Sequence, residues 1–189
     1  MQKQLTFVCL LAIFLGTTQM VASQIIGLGR CPRNIKTVED FDATKYLGTW
    51  YEYSKYPFIF EFGAKCVTAE YGAINSTEIS VVNTQISSLN SKQSIDGIAK
   101  IVGPGKLAVS FNGLAALAGA ADYWVLATDY ENYAVVYSCK NIALTHATFV
   151  WILTRERVPS ADIINAAKDA LVSQNISLSE LSETDQSDC

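Results

Sequence analysis

Between Gly48 and Arg155 the chain is a succession of eight short segments rich in β-branched and aromatic residues, each closed off by turn-forming ones. They cover residues 48–58, 65–74, 77–86, 92–102, 106–112, 121–128, 132–139 and 148–155. The third alternates through Ile79, Val81 and Asn83, and the fifth through Leu107, Val109 and Phe111, the two-residue period of a strand with one apolar face. Asn75-Ser76, residues 87–91, Gly103-Pro104-Gly105 and residues 129–131 supply the turns. Such spacing belongs to an antiparallel meander and an all-β fold. A helix follows: Pro159 and Ser160 start it, Asp162 lies in its first turn, and Ile163, Ala167 and Leu171 form an apolar stripe with Ile164 and Ala170 beside them. Eight strands and one packing helix predict an eight-stranded up-and-down antiparallel barrel with the helix outside. A two-sheet sandwich is the rival that periodicity alone does not separate.

The ends of the chain narrow the setting. Residues 1–23 read as a signal peptide: Lys3, an apolar run over residues 5–15 broken only by Thr6, and small residues at Val21 and Ser23 before the expected cut. The run is too short to span a bilayer. Residues 24–189 are then a single domain with no methionine and 13 basic against 18 acidic groups. That acidic balance argues against a nucleic-acid partner, which asks for a basic face. Cys31, Cys66, Cys139 and Cys189 remain, and in a secreted chain they read as two disulfides with three connectivities open. The polar stretch from 177 to 189 reads as an extended tail pinned at Cys189. Asn75-Ser76-Thr77 and Asn175-Ile176-Ser177 are glycosylation sequons.

Chemistry-bearing residues are scarce. His146 is the sole histidine, read as a surface or loop residue near the last hairpin turn, so no His-paired nucleophile stands out. No metal site is expected, since the cysteines lack C-x-x-C spacing and one histidine cannot supply several ligands. The G-x-G-x-x-A at residues 103–108 precedes a strand and is a hairpin turn, not a nucleotide loop. No enzymatic activity and no cofactor are expected.

Three elements stand in order along the meander: Gly48-Thr49-Trp50 at the first strand, Thr128-Asp129-Tyr130 before the seventh, and Arg155 at the end of the eighth. This pattern resembles the lipocalin family. In a meander all three lie at one end of the barrel, where Arg155 can stack on the Trp50 indole, a contact worth about 0.5–2 kcal/mol. Arg30-Cys31-Pro32, residues 127–139 and Trp151-Ile152-Leu153-Thr154-Arg155 are similar to the apolipoprotein D branch of that family and, more closely still, to its insect Lazarillo members. The resemblance implies the pairing Cys31–Cys139 and Cys66–Cys189.

It also implies a lined interior. Ala69, Tyr71, Val81, Asn83, Ile95, Val109, Phe111, Tyr123, Val125, Val136, Phe149 and Trp151 would face a ligand, with Phe58 near the entrance and Asn83, Tyr71 and Tyr123 as polar handles. Such a lining, free of charge, suits an elongated apolar ligand with one polar end: a fatty acid, a retinoid or a sterol. The open-end loops, 56–62 and 113–120, are apolar enough to dock on a membrane or lipoprotein surface or to fold over the cavity as a lid. A bilin or other chromophore carrier, and a receptor-binding protein with an incidental cavity, are the alternatives.

Overall fold

The computed structural model describes residues 25–57 and 63–189. The expected signal peptide, the expected site residue Phe58 and residues 59–62 lie outside the described residues. The elements in chain order are β1 (Ile25–Leu28), α1 (Ala43–Tyr46), β2 (Gly48–Lys55), β3 (Lys65–Ala73), β4 (Glu78–Ile86), β5 (Lys92–Gly103) and β6 (Lys106–Phe111). A 3-10 helix (Gly113–Ala118) follows, then β7 (Ala121–Thr128), β8 (Tyr133–Ile142), β9 (Thr145–Thr154), α2 (Ala161–Val172) and β10 (Ser182–Glu183).

Strands β2 to β9 pair antiparallel with their neighbours in sequence, and β9 pairs back onto β2 from Tyr51↔Thr154 to Lys55↔Trp151. That last pairing closes the barrel, where a sandwich would leave β2 and β9 as edges. The closing seam is short, and the chain termini complete it. β1 occupies the part of β9 that β2 does not reach, Thr145–Thr148, and β10 pairs with Ser54 and Lys55 beyond the reach of β3. The bridges Cys31–Cys139 and Cys66–Cys189 fasten these two additions, in the pairing the resemblance implied.

Several boundaries differ from expectation. β8 and β9 run to Ile142 and from Thr145, a longer hairpin turned at Ala143, which adopts a positive φ of 50°. His146 is therefore a partly exposed strand residue beside that turn, on the surface as expected but not in the loop itself. It pairs with Gly27, where a side-chain carbon would sit 2.4 Å from its ring. Both β1 and β10 went unpredicted, because two- to four-residue strands carry no period of their own. The helix stripe is centred on Ile164, with Ala167 and Leu171, rather than on Ile163. These three side chains are buried against Leu126, Val135, Tyr137, Val150 and Ile152 on the outside of β7, β8 and β9. Burying Ile164 and Leu171 contributes roughly 1.5–3 kcal/mol each. Among the described residues no helix is long and apolar enough to cross a membrane.

Candidate functional site

The closed end is built from the segment before β2. Gly48 has a positive φ of 90°, which turns the chain from α1 into β2 and puts Trp50 across the barrel floor, fully buried. The Trp50 indole N–H donates to the Tyr46 carbonyl at 2.8 Å. Arg155 covers the indole, with its guanidinium carbon 3.7 Å from the ring centroid. Its Nε donates to the carbonyl of Tyr130, Nη1 to that of Thr49 and Nη2 to that of Lys45, at 2.9–3.0 Å. One cation thus ties together α1, β2 and the β7–β8 turn. In that turn Asp129 Oδ1 accepts from the backbone N–H groups of Glu131, Asn132 and Tyr133. Burial works against the Asp129 charge, but these bonds and the Asn132 amide outweigh it and hold the carboxyl below its ordinary range. Thr128 accepts from the Tyr130 N–H and donates to the Tyr133 carbonyl. The Tyr130 hydroxyl accepts from the Asp42 N–H.

Above this floor, cross-strand partners share a face, which settles the lining. Trp50 pairs with Ala69, Ala69 with Asn83 and Asn83 with Ile95; Tyr71 pairs with Val81, Ala99 with Val109, and Gly97 with Phe111. Tyr123 pairs with the buried Leu107, Val125 with Val136, and Val136 with Trp151. All of these predicted positions face inward, and Phe149 stacks beside Trp151 with ring centroids 6.1 Å apart. The lining changes along the barrel axis. Val81, Val125, Val136 and Leu153 near the floor are buried, whereas Asn83, Ile95, Phe149 and Trp151, one or two rungs toward the mouth, stay partly exposed. The interior is packed below and accessible above. Asn83 Oδ1 is buried there with no hydrogen-bond partner.

Two features of the interior were not read from the sequence. Tyr46 joins Tyr71 and Tyr123 in a hydroxyl cluster: Tyr71 donates to the Tyr123 oxygen at 2.7 Å, and the Tyr46 and Tyr123 oxygens lie 2.8 Å apart. Burial pushes all three phenols well above their ordinary pKa. Tyr46 precedes the barrel on a one-turn helix, so strand parity could not place it. The second feature is charge. The lining is not free of it, because a bulge in β2 between Glu52 and Ser54 puts Glu52 and Lys55 on one face, opposite the interior residues Leu153 and Trp151. The Lys55 ammonium lies 2.8 Å from the Glu52 carboxylate. Thr184 donates to Glu52 as well, and the Gln186 amide donates to the carbonyls of Glu52 and Val67, so the tail is tied to the barrel wall here. Only the extra residue of the bulge, invisible in a period-two count, brings Lys55 inward.

At the open end the β6–β7 connection is the 3-10 helix, with Leu114 and Leu117 each 88% exposed. Leu89 in the β4–β5 turn and Leu144 in the β8–β9 turn stand equally clear at the same end. Asn75 and Asn175 are exposed, the first in the β3–β4 turn at the closed end and the second just beyond α2. Among the described residues no three His, Cys, Asp or Glu side chains are grouped to hold a metal ion.

Residues 41–186 match the lipocalin-like domain. The chain is 40% identical to apolipoprotein D of Cavia porcellus over 184 residues, 95% of each chain. It is 34% identical to the Lazarillo protein of Schistocerca americana over 158 residues, 79% of this chain and 72% of that one. The apolipoprotein D identity is the higher of the two, the reverse of the order expected from the motifs. The structure of insecticyanin from Manduca sexta superimposes with a TM-score of 0.76 at 29% identity, covering 87% of this chain and 90% of that one. With the closed barrel, the Trp50–Arg155 floor and the outer helix in place, these likenesses agree: the chain belongs to the lipocalin family.

Proposed function

We propose that the protein is a secreted carrier that holds a small hydrophobic molecule (a fatty acid, a retinoid or a sterol) in the upper half of its barrel. The observation that carries this reading is the gradient of the inward-facing wall, packed at Val81, Val125 and Val136 and accessible at Asn83, Ile95, Phe149 and Trp151. A barrel filled for stability alone has no reason to leave aromatic side chains half-covered inside it. Ala69, Tyr71, Val109, Phe111, Tyr123 and the loop residue Phe58 complete the proposed contact set. Affinity comes from burying ligand surface, and no reaction of the protein's own is part of the proposal. The leader at 1–23 and the two long-range disulfides support an extracellular location. Glycans at Asn75 and Asn175 belong to the same reading.

Exchange of so apolar a ligand needs a route out of water. The exposed leucines 89, 114, 117 and 144 rise from three different turns around the mouth. We propose that they set this rim on a lipid surface, of a membrane or a lipoprotein particle, while ligand passes. A receptor-binding role for the same rim is the competing outcome. Mass spectrometry of organic extracts of the secreted protein, with tryptophan quenching by added ligands, tests the carrier reading. A bound lipid and saturable quenching are expected, and a coloured extract would identify a bilin or other chromophore instead. An extract without ligand, and no saturable response to any fatty acid, retinoid, sterol or bilin, would overturn it.

A further inference from the structure

The three interior hydroxyls carry three protons, and they make two hydrogen bonds with one another. Tyr71 donates to Tyr123, and Tyr46 and Tyr123 share one more bond, so one proton of the cluster is left over among the described residues. The surroundings say which one. Tyr46 has no exposed surface, and its ring is held between Phe41, Trp50 and Tyr71 at centroid distances of 5.1–5.3 Å. Tyr71 is 4% exposed and its proton is already used. Tyr123 alone keeps partial exposure, and its strand position faces it into the barrel. The arrangement that satisfies the most groups has Tyr46 and Tyr71 both donating to Tyr123, with the Tyr123 proton directed up the lumen. A buried donor without an acceptor is costly, so this one calls for an oxygen delivered from the mouth side.

The kind of oxygen follows from charge. Arg155, the cation stacked on Trp50, spends Nε, Nη1 and Nη2 on backbone carbonyls. The side chains packed around the tyrosines, Val81, Leu107, Val109 and Val125, are apolar. A carboxylate here would be a buried charge with both nearby cations already engaged, the Arg155 donors with backbone carbonyls and Lys55 with Glu52, whereas a carbonyl needs just the one donor. Burial also keeps the phenols protonated, hence as donors, across the physiological range. Taking the barrel as a carrier, we propose that its ligand enters with an uncharged oxygen acceptor leading, a ketone, aldehyde or ester carbonyl, which the Tyr123 hydroxyl receives at the closed end. The carboxylate of an anionic amphiphile, by the same reasoning, stays at the mouth.

The test is a cycle of two probes and three proteins, with 2-hexadecanone and hexadecane titrated by tryptophan quenching against wild type, Tyr123→Phe and Tyr71→Phe. Tyr123→Phe should weaken the ketone about tenfold, the size of one hydrogen bond, and leave the alkane within about twofold. Tyr71→Phe, which keeps the Tyr123 proton, should leave the ratio of the two affinities unchanged. The carbonyl stretch of a ¹³C-labelled ketone should be lowered in the wild-type complex and restored in Tyr123→Phe. Equal effects of Tyr123→Phe on ketone and alkane, or an unshifted carbonyl in wild type, would overturn the assignment and leave the carrier reading intact. Failure of both probes to bind wild type would overturn both.

Discussion

At the scale of single residues, the floor depends on Arg155 as well as on the buried Trp50. Trp50 fills space, but the guanidinium ties together three carbonyls from separate segments, that of Tyr130 partly buried and those of Lys45 and Thr49 toward solvent. Arg155→Met keeps the bulk and removes these bonds. It should destabilise the fold by about 3 kcal/mol in urea unfolding, discounted for the partial exposure of the group. Arg155→Lys should recover only part, since an ammonium cannot present the same planar fork. The tyrosines set the alkaline limit. Burial holds Tyr46, Tyr71 and Tyr123 neutral well past their ordinary value and pushes Tyr56 up to about 12. In the unfolded chain phenols ionise near pH 10. Their contribution to stability is thus fully present below about pH 10 and is lost as pH rises through the folded values. Thermal unfolding followed from pH 8 upward should show Tm falling from about pH 10, with phenolate absorbance rising together with unfolding. A constant Tm across that range would contradict the burial of the cluster.

At the scale of elements, the barrel seam is completed by two additions from opposite ends of the chain. β10 contributes two residues to the sheet, too few to hold themselves in place, and the Thr184 N–H donates to the Tyr53 carbonyl beside it. The Cys66–Cys189 bridge, the Gln186 amide and the Thr184–Glu52 contact keep this segment down, together with the Cys66 N–H donating to the Asp185 carbonyl and the Tyr53 hydroxyl donating to Glu183. Replacing Cys66 and Cys189 together by serine opens a loop spanning 123 positions. The chain-entropy relation puts the loss at about 4–5 kcal/mol. Hydrogen exchange should show the Thr184 amide losing protection first, ahead of β7 and β8. Uniform loss across the barrel would mean that the tail is not a separate unit. The strands themselves were legible because alternation between Ile79, Val81 and Asn83, or between Leu107, Val109 and Phe111, is what a one-sided strand requires. β1, β10 and the β2 bulge were not legible, since each depends on a partner strand distant in sequence.

At the scale of the molecule, a packed end and an open end give the barrel a direction. Replacing Leu89, Leu114, Leu117 and Leu144 by serine leaves every buried contact in place. Tm should move little, while flotation with phosphatidylcholine liposomes should fall severalfold if the rim is the docking surface. Equal flotation would move docking elsewhere. Asn75, exposed at the closed end, lies far from that rim, so a glycan there leaves docking free. Asn75→Gln should lower the apparent mass of the secreted protein without altering flotation. Side-chain period, turn chemistry and the G-x-W, T-D-Y and Arg elements pointed to the eight barrel strands, their order and the family, and the family resemblance supplied the inward phase of most strands. These are local properties or short motifs. The closing β2–β9 pairing, the inward ion pair of Glu52 and Lys55 and the hydroxyl cluster around Tyr123 were decided only by the tertiary structure. Each joins residues that no local period relates, and each exists because closing the barrel brings them together.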